Sequence, residues 1–164
     1  MIIVRNINLN HSRDASDELV KRAEDLGSAQ YIFFVQEPYC FNGNVAGLGG
    51  AGKVLYFRKD PKPVRSCIVC SKGVNVWLID DLSDNDNTIC AIKLDGNLTY
   101  IASCYFDITK SIINNPMNNI IGDINSKNIP LLINCDSNSH STIWGSTDNM
   151  PGVMSLKNSS SLIT

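Results

Sequence analysis

The sequence predicts a mixed α/β domain in which two sheets are flanked by helices, and three observations carry that prediction. The chain opens on an apolar strand, an amphipathic helix and a second apolar strand. From Lys53 to Phe106 it reads as a succession of strands joined by short turns. A second helical segment and a further strand then follow, the strand ending near Cys135.

Ile2-Ile3-Val4 opens the first strand, which passes into the polar Asn6-Ile7-Asn8-Leu9-Asn10. Ser12 is placed to cap a helix, with Asp14 in its first turn. Leu19, Val20, Ala23 and Leu26 then recur at helical spacing, and Gly27 supplies the stop. Tyr31 to Gln36 is a continuous apolar run of strand length, the pattern of a strand covered on both faces, and Glu37-Pro38 ends it. Gly43 to Gly52 reads as a flexible surface loop. Strands are expected at Val54 to Phe57, Ser66 to Cys70, Val74 to Ile79, Thr88 to Leu94 and Leu98 to Phe106, with Asp95-Gly96-Asn97 as a hairpin signal. Ile112, Ile113, Ile120, Ile121 and Ile124 fit a helix interrupted or started at Pro116. Pro130 introduces the last strand, LLINC. No repeat or linker divides the chain, so residues 1–164 are expected to form a single domain.

The bulk properties narrow the function classes. Of 164 residues, 43% are hydrophobic and 18% charged, and the formal net charge is -2. That balance argues against a purely electrostatic nucleic-acid binder. Lys59, Lys62 and Arg65 around the Pro61/Pro63 turn form the one basic cluster, and three charges in a loop are commonly a solvated face. The six cysteines lie mostly in apolar runs, as buried free thiols of a reducing compartment do. Cys67-Ile68-Val69-Cys70 matches CxxC but has no second pair and falls in a strand, so zinc is not expected. The N-terminus is not a secretory leader, and no apolar run approaches the ~20 residues of a membrane span. An intracellular, soluble domain is expected.

One phosphate-binding pattern is a decoy. Gly47 to Val54 almost spells GxxxxGK[ST], but Val54 replaces the hydroxyl that would hold magnesium. The segment also runs into the strand-like KVLYF where a P-loop would open a helix.

The stronger constellation is spread over strand ends, where layered α/β proteins gather their ligand-binding groups. Asn8 closes the first strand, Glu37 the second, Tyr105 the LTYIASCYF strand, and Asp136, Asn138 and His140 follow LLINC. Continued extended geometry would put those last three on one side. A glutamate among Asn and Asp oxygens is a hard-cation donor set, suited to Mg²⁺ that keeps several waters. Each residue also has an ordinary explanation. Glu37 can be a turn carboxylate, Asn8 a helix cap, Tyr105 a core aromatic with a wet hydroxyl, His140 a surface imidazole, and Asp136-Ser137-Asn138 turn chemistry.

The segments INLNHSRDASDELVKRAEDLGSAQYIFFVQEPY, NVWLIDDLS, ASCYFDI and NIPLLINCDSNSHSTIWGS together resemble the endonuclease domain of non-LTR (LINE-type) retrotransposons. That domain belongs to the endonuclease/exonuclease/phosphatase superfamily. The resemblance covers nearly the whole chain in order, and QEPY with CDSNSHSTIWGS is its most specific part. It implies a four-layer α/β sandwich, here without its last strands.

The resemblance implies a metal-binding glutamate at Glu37 and a metal-side asparagine at Asn8, with Asn6 as a competing register. It implies a phosphate-contacting tyrosine at Tyr105, an aspartate acting on the attacking water at Asp136, and a supporting asparagine at Asn138. Trp144-Gly145-Ser146 matches a signature of structural character. The family pattern continues with a second metal-side aspartate and a closing aspartate-histidine pair. Neither His11 nor His140 matches that histidine. The expected activity is Mg²⁺-dependent (Mn²⁺ as an alternative) nicking of target DNA for target-primed reverse transcription, weak or absent in this chain. A reverse transcriptase domain downstream in the parent polyprotein and a nuclear site of action are also implied. A non-enzymatic DNA-binding remnant and a phosphatase of the same fold are the alternatives.

Overall fold

The computed structural model describes residues 1–94, 96–106 and 115–136, with the backbone alone at 115–117. In chain order the elements are β1 (Ile2–Asn8), α1 (Arg13–Asp25), β2 (Gln30–Gln36), β3 (Cys40–Phe41), β4 (Asn44–Val45), β5 (Lys53–Leu55), β6 (Ser66–Cys70), β7 (Val76–Leu78), β8 (Asn87–Leu94), β9 (Asn97–Tyr105), α2 (Asn115–Lys127) and β10 (Leu131–Asp136).

They make two four-stranded sheets, β1-β2-β6-β5 and β10-β9-β8-β7, with β3-β4 as a small hairpin outside them. Each large sheet holds one parallel pair, β1 with β2 and β10 with β9, while its other pairs are antiparallel. Strand alternation sorts the core into three layers. On β2, Tyr31, Phe33 and Val35 point outward to Leu19 and Ala23 of α1, joined by Cys67 and Val69 of β6. Ile32 and Phe34 point inward with Ile68 and Cys70 to meet Cys90, Ile92 and Ile101 of the second sheet. On that sheet's far side Ile89, Ala102 and Cys104 pack with Ile120 of α2. Helix, sheet, sheet and helix are therefore stacked in four layers, the architecture expected.

Local chemistry explains the element ends. The Ser12 hydroxyl accepts from the Ala15 amide at 3.2 Å and caps α1, and Gly27 leaves it with φ +56°. Pro116 sits in the first turn of α2, where its missing N–H costs nothing. β8 and β9 pair out to Leu94 opposite Asn97, with Gly96 at φ +84°.

Two expectations need correction. The Gly43 to Gly52 segment is anchored rather than a flexible surface loop. Leu48 and Ala51 are buried, and the Tyr31 hydroxyl donates to the Ala51 carbonyl at 2.6 Å. A Cβ on Gly52 would meet the Cys70 carbonyl oxygen at 2.3 Å, so this glycine serves close packing. The lysine of the P-loop decoy, Lys53, donates to the Val76 carbonyl at 2.6 Å from β5. The strand foreseen at Val54 to Phe57 is also shorter, ending at Leu55.

The cysteines behave as expected. All six are free, and Cys67, Cys70, Cys90 and Cys104 are buried. Cys67 and Cys70 lie on opposite faces of β6, so that CxxC cannot share one metal. No described helix is long and apolar enough to cross a membrane.

Candidate functional site

The pairing pattern brings particular strand ends together. β1 and β2 run parallel and end side by side, Asn8 opposite Gln36. β9 and β10 likewise end at Tyr105 opposite Asp136. Because β6 and β8 are antiparallel to these pairs, their starts lie at the same end, with Ser66 opposite Gln36 and Asn87 opposite Cys104. Asn8, Glu37, Tyr105 and Asp136 thus crown one edge of the sandwich, beside Arg65 and Asp86.

The two sheets touch there through polar groups. The Asn8 amide nitrogen donates to Asp136 Oδ2 at 2.6 Å, across 128 residues of sequence. Asn8 Oδ1 accepts from the Asn10 amide at 2.7 Å, which fixes the orientation of the side chain. Between the two possible registers, Asn8 is the asparagine that meets Asp136, while Asn6 lies two residues back opposite Phe34. Beneath this contact is a buried polar layer. Gln36 Nε2 donates to the Ser103 hydroxyl at 3.2 Å, and the Ser66 and Thr88 hydroxyls lie 2.9 Å apart. All four side chains are fully buried.

Glu37 stands in left-handed backbone at φ +47°, in front of Pro38, and Asn10 and His11 are left-handed as well. Such conformations disfavour residues with a Cβ and persist where their surroundings hold them. The Glu37 amide donates to the Arg65 carbonyl at 2.9 Å, and its own carbonyl accepts from the His11 amide at 2.7 Å. His11 Nε2 lies 3.6 Å from Glu37 Oε1, and the Glu37 side chain is 17% exposed. Among the described residues no three His, Cys, Asp or Glu side chains cluster as a metal cage. One carboxylate with an amide oxygen from Asn8 nearby fits a hard cation that retains most of its water shell.

Arg65 and Asp86 were missed as site residues at the sequence level, where Arg65 was read as one member of a solvated basic loop. The Arg65 guanidinium instead grips Asp86 through two bonds, Nε to Oδ1 at 2.8 Å and Nη2 to Oδ2 at 2.7 Å. It also lies over the Tyr105 ring, 4.6 Å from the centroid. Sequence reasoning looks to the ends of strands, whereas these two residues precede strands. A charged residue directly ahead of a buried run, as in RSCIVC and DNTIC, is the signal that would have found them.

Lys59 and Lys62 remain exposed. With His11, Arg65, Asp84 and Asp86 they line an open cleft of about 480 Å³ beside the site. Asn85 holds that loop, accepting from the Lys59 amide at 2.9 Å and donating to the Lys62 carbonyl at 2.7 Å. Beside Asp136, burial, with the Asp136 charge adding to it, pushes the Cys135 thiol up, which disfavours its thiolate. Asn138, His140 and Trp144-Gly145-Ser146 lie outside the described residues.

No family model and no curated protein matches the chain. Among solved structures it matches the endonuclease domain of TRAS1, a telomere-specific non-LTR retrotransposon, with a TM-score of 0.70 and 24% identity. The match covers 96% of this chain and 68% of that one. This chain has the fold of a retrotransposon endonuclease domain.

Proposed function

We propose that the crowned edge is the site of a DNA-nicking endonuclease that hydrolyses phosphodiester bonds, with weak activity in this chain. The observation that carries this reading is the Asn8–Asp136 bond, which ties the strand end next to Glu37 to the one next to Tyr105. The fold shared with the TRAS1 endonuclease domain supports it.

In this reading Asp136, aimed by its bond from Asn8, orients the attacking water and takes its proton. The Tyr105 phenol donates to a non-bridging oxygen of the scissile phosphate, where charge grows during attack. Asn138 supports the same phosphate, as the sequence resemblance implies. Glu37 and the Asn8 amide oxygen would hold Mg²⁺, or Mn²⁺. When bound, such an ion neutralises phosphoryl charge and the leaving oxygen. A reverse transcriptase domain in the parent polyprotein and action on chromosomal DNA in the nucleus complete the proposal.

The test is single-turnover nicking of supercoiled plasmid with the chain in excess and Mg²⁺ present. Glu37→Ala and Asp136→Ala should each slow relaxation by more than about 100-fold. Relaxation that survives Glu37→Ala, or that persists in EDTA, overturns the reading. Phosphate release from a small soluble ester, with the duplex left intact, would assign the site to a phosphatase instead.

A further inference from the structure

We propose that Arg65 and Asp86 form a clamp that positions Tyr105 for the scissile phosphate, which makes Arg65 a positioning residue of the site. The inference rests on the phosphodiesterase reading given above.

Arg65 links Glu37 and Tyr105 within the edge. Its carbonyl accepts from the Glu37 amide at 2.9 Å, and its amide donates to the Asn85 carbonyl at 2.6 Å. Its guanidinium is locked in plane by the two-point grip on Asp86, and the same group covers the Tyr105 ring. The Asp86 carbonyl in turn accepts from the Tyr105 amide at 2.8 Å. Tyr105 is thus held twice, at its backbone by Asp86 and at its ring by the cation that Asp86 orients. The side chains of Arg65 and Asp86 are 23% and 16% exposed. A surface ion pair contributes little, whereas a two-point pair at this depth holds its geometry.

Simple stabilisation of the fold explains less. A pin between sheets needs any well-packed pair, but this pair places a planar cation over the Tyr105 ring. Lysine would keep the charge while losing both the fork and the planar stacking group. A clamp acting through Tyr105 also has a consequence that a structural pin lacks. Once the phenol hydroxyl is gone, Arg65 has nothing left to position.

The experiment measures single-turnover nicking by the full chain carrying Arg65→Met, Tyr105→Phe or both, with half-saturating DNA concentration determined in parallel. Arg65→Met should lower the maximal rate on the order of tenfold and move half-saturation less than about twofold, with Arg65→Lys giving no rescue. In the Tyr105→Phe background Arg65→Met should cost less than about twofold further. A full additional loss in that background overturns the proposal. If Arg65→Met does not fold, Arg65→Met/Asp86→Leu removes both charges and carries the same comparison.

Where nicking by the wild-type chain is too weak to measure, the clamp is judged separately by ¹⁵Nε-arginine NMR. The Arg65 Nε–H should exchange at least about tenfold more slowly in wild type than in Asp86→Asn or Tyr105→Leu. Equal exchange rates overturn the clamp.

Discussion

The space between the two sheets has a dry end and a wet end. Away from the site it is filled by Ile32, Phe34, Ile68, Cys70, Cys90, Ile92 and Ile101. Toward the site the same inward-facing rows continue as Gln36, Ser66, Thr88 and Ser103, equally buried but hydrogen-bonded. One row of β2 reads Ile32, Phe34, Gln36, so a single strand crosses from one regime to the other in two residues. Apolar contact is non-directional and holds the sheets together. Hydrogen bonds are directional and hold them in one register, which is what a site assembled from both sheets requires.

The largest expected effect breaks the dry end. Phe34→Ala removes a fully buried ring and should cost about 3–5 kcal/mol, read as a fall in chemical-denaturation midpoint without a change in slope. Nicking by the folded fraction should stay near the wild-type rate, because no site group is touched.

Alkali should attack the dry end as well. Burial pushes the Cys70 thiol up to about 11 from an ordinary value near 9, and raises Cys67, Cys90 and Cys104 too. A folded-state value above the unfolded one means the native protein keeps its protons longer than the unfolded chain. The associated stability is fully present below pH 9 and is lost as pH rises from there through 11. Urea midpoints measured from about pH 7 to about pH 11 should be level and then fall. Cys70→Val with Cys90→Val should flatten the decline, and an equally steep decline in that variant would remove these two thiols as its cause.

At the wet end, Glu37 separates backbone strain from side-chain chemistry. Both Glu37→Ala and Glu37→Gly remove the carboxylate and should stop nicking. The glycine variant should be the more stable of the two by about 1 kcal/mol, because φ +47° no longer confronts a Cβ. Equal stabilities would mean the turn relaxes once the carboxylate is gone.

The smallest stability change belongs to Gln36→Leu. It loses one bond to Ser103 but also removes an Oε1 that has no partner among the described residues, and Ser103 keeps its bond to the Val35 carbonyl at 3.2 Å. Stability should change by less than about 1 kcal/mol. Nicking should nevertheless fall about tenfold if this layer sets the register of the two strand ends. A large loss of stability with an unchanged rate would invert the roles assigned to the two ends.

Much of this molecule was legible in one dimension. The unbroken apolar run of Tyr31 to Val35 foretold a strand covered on both faces, and Ser12 with Gly27 bounded α1 to within a residue or two. Glu37, Tyr105 and Asp136 were found as polar groups at the ends of such runs. Arg65 and Asp86 were not, because the antiparallel course of β6 and β8 turns strand beginnings toward the site. That reversal is a property of pairing, and its one local mark is the charge directly ahead of each buried run. The anchoring of Gly43 to Gly52 escaped for the same reason, since its partners Tyr31 and Cys70 are brought in by other strands.

Sequence by itself determined the main strands and helices, which face of each is apolar, and which polar side chains stand at the strand ends. Period-two and period-3.6 burial are imposed on each element separately, so they can be read locally. Tertiary structure alone decided that Asn8 meets Asp136 across 128 residues and that Arg65 lies over Tyr105. Those contacts depend on strand order and direction, which follow from the packing energy of the whole sandwich rather than from any one stretch of chain.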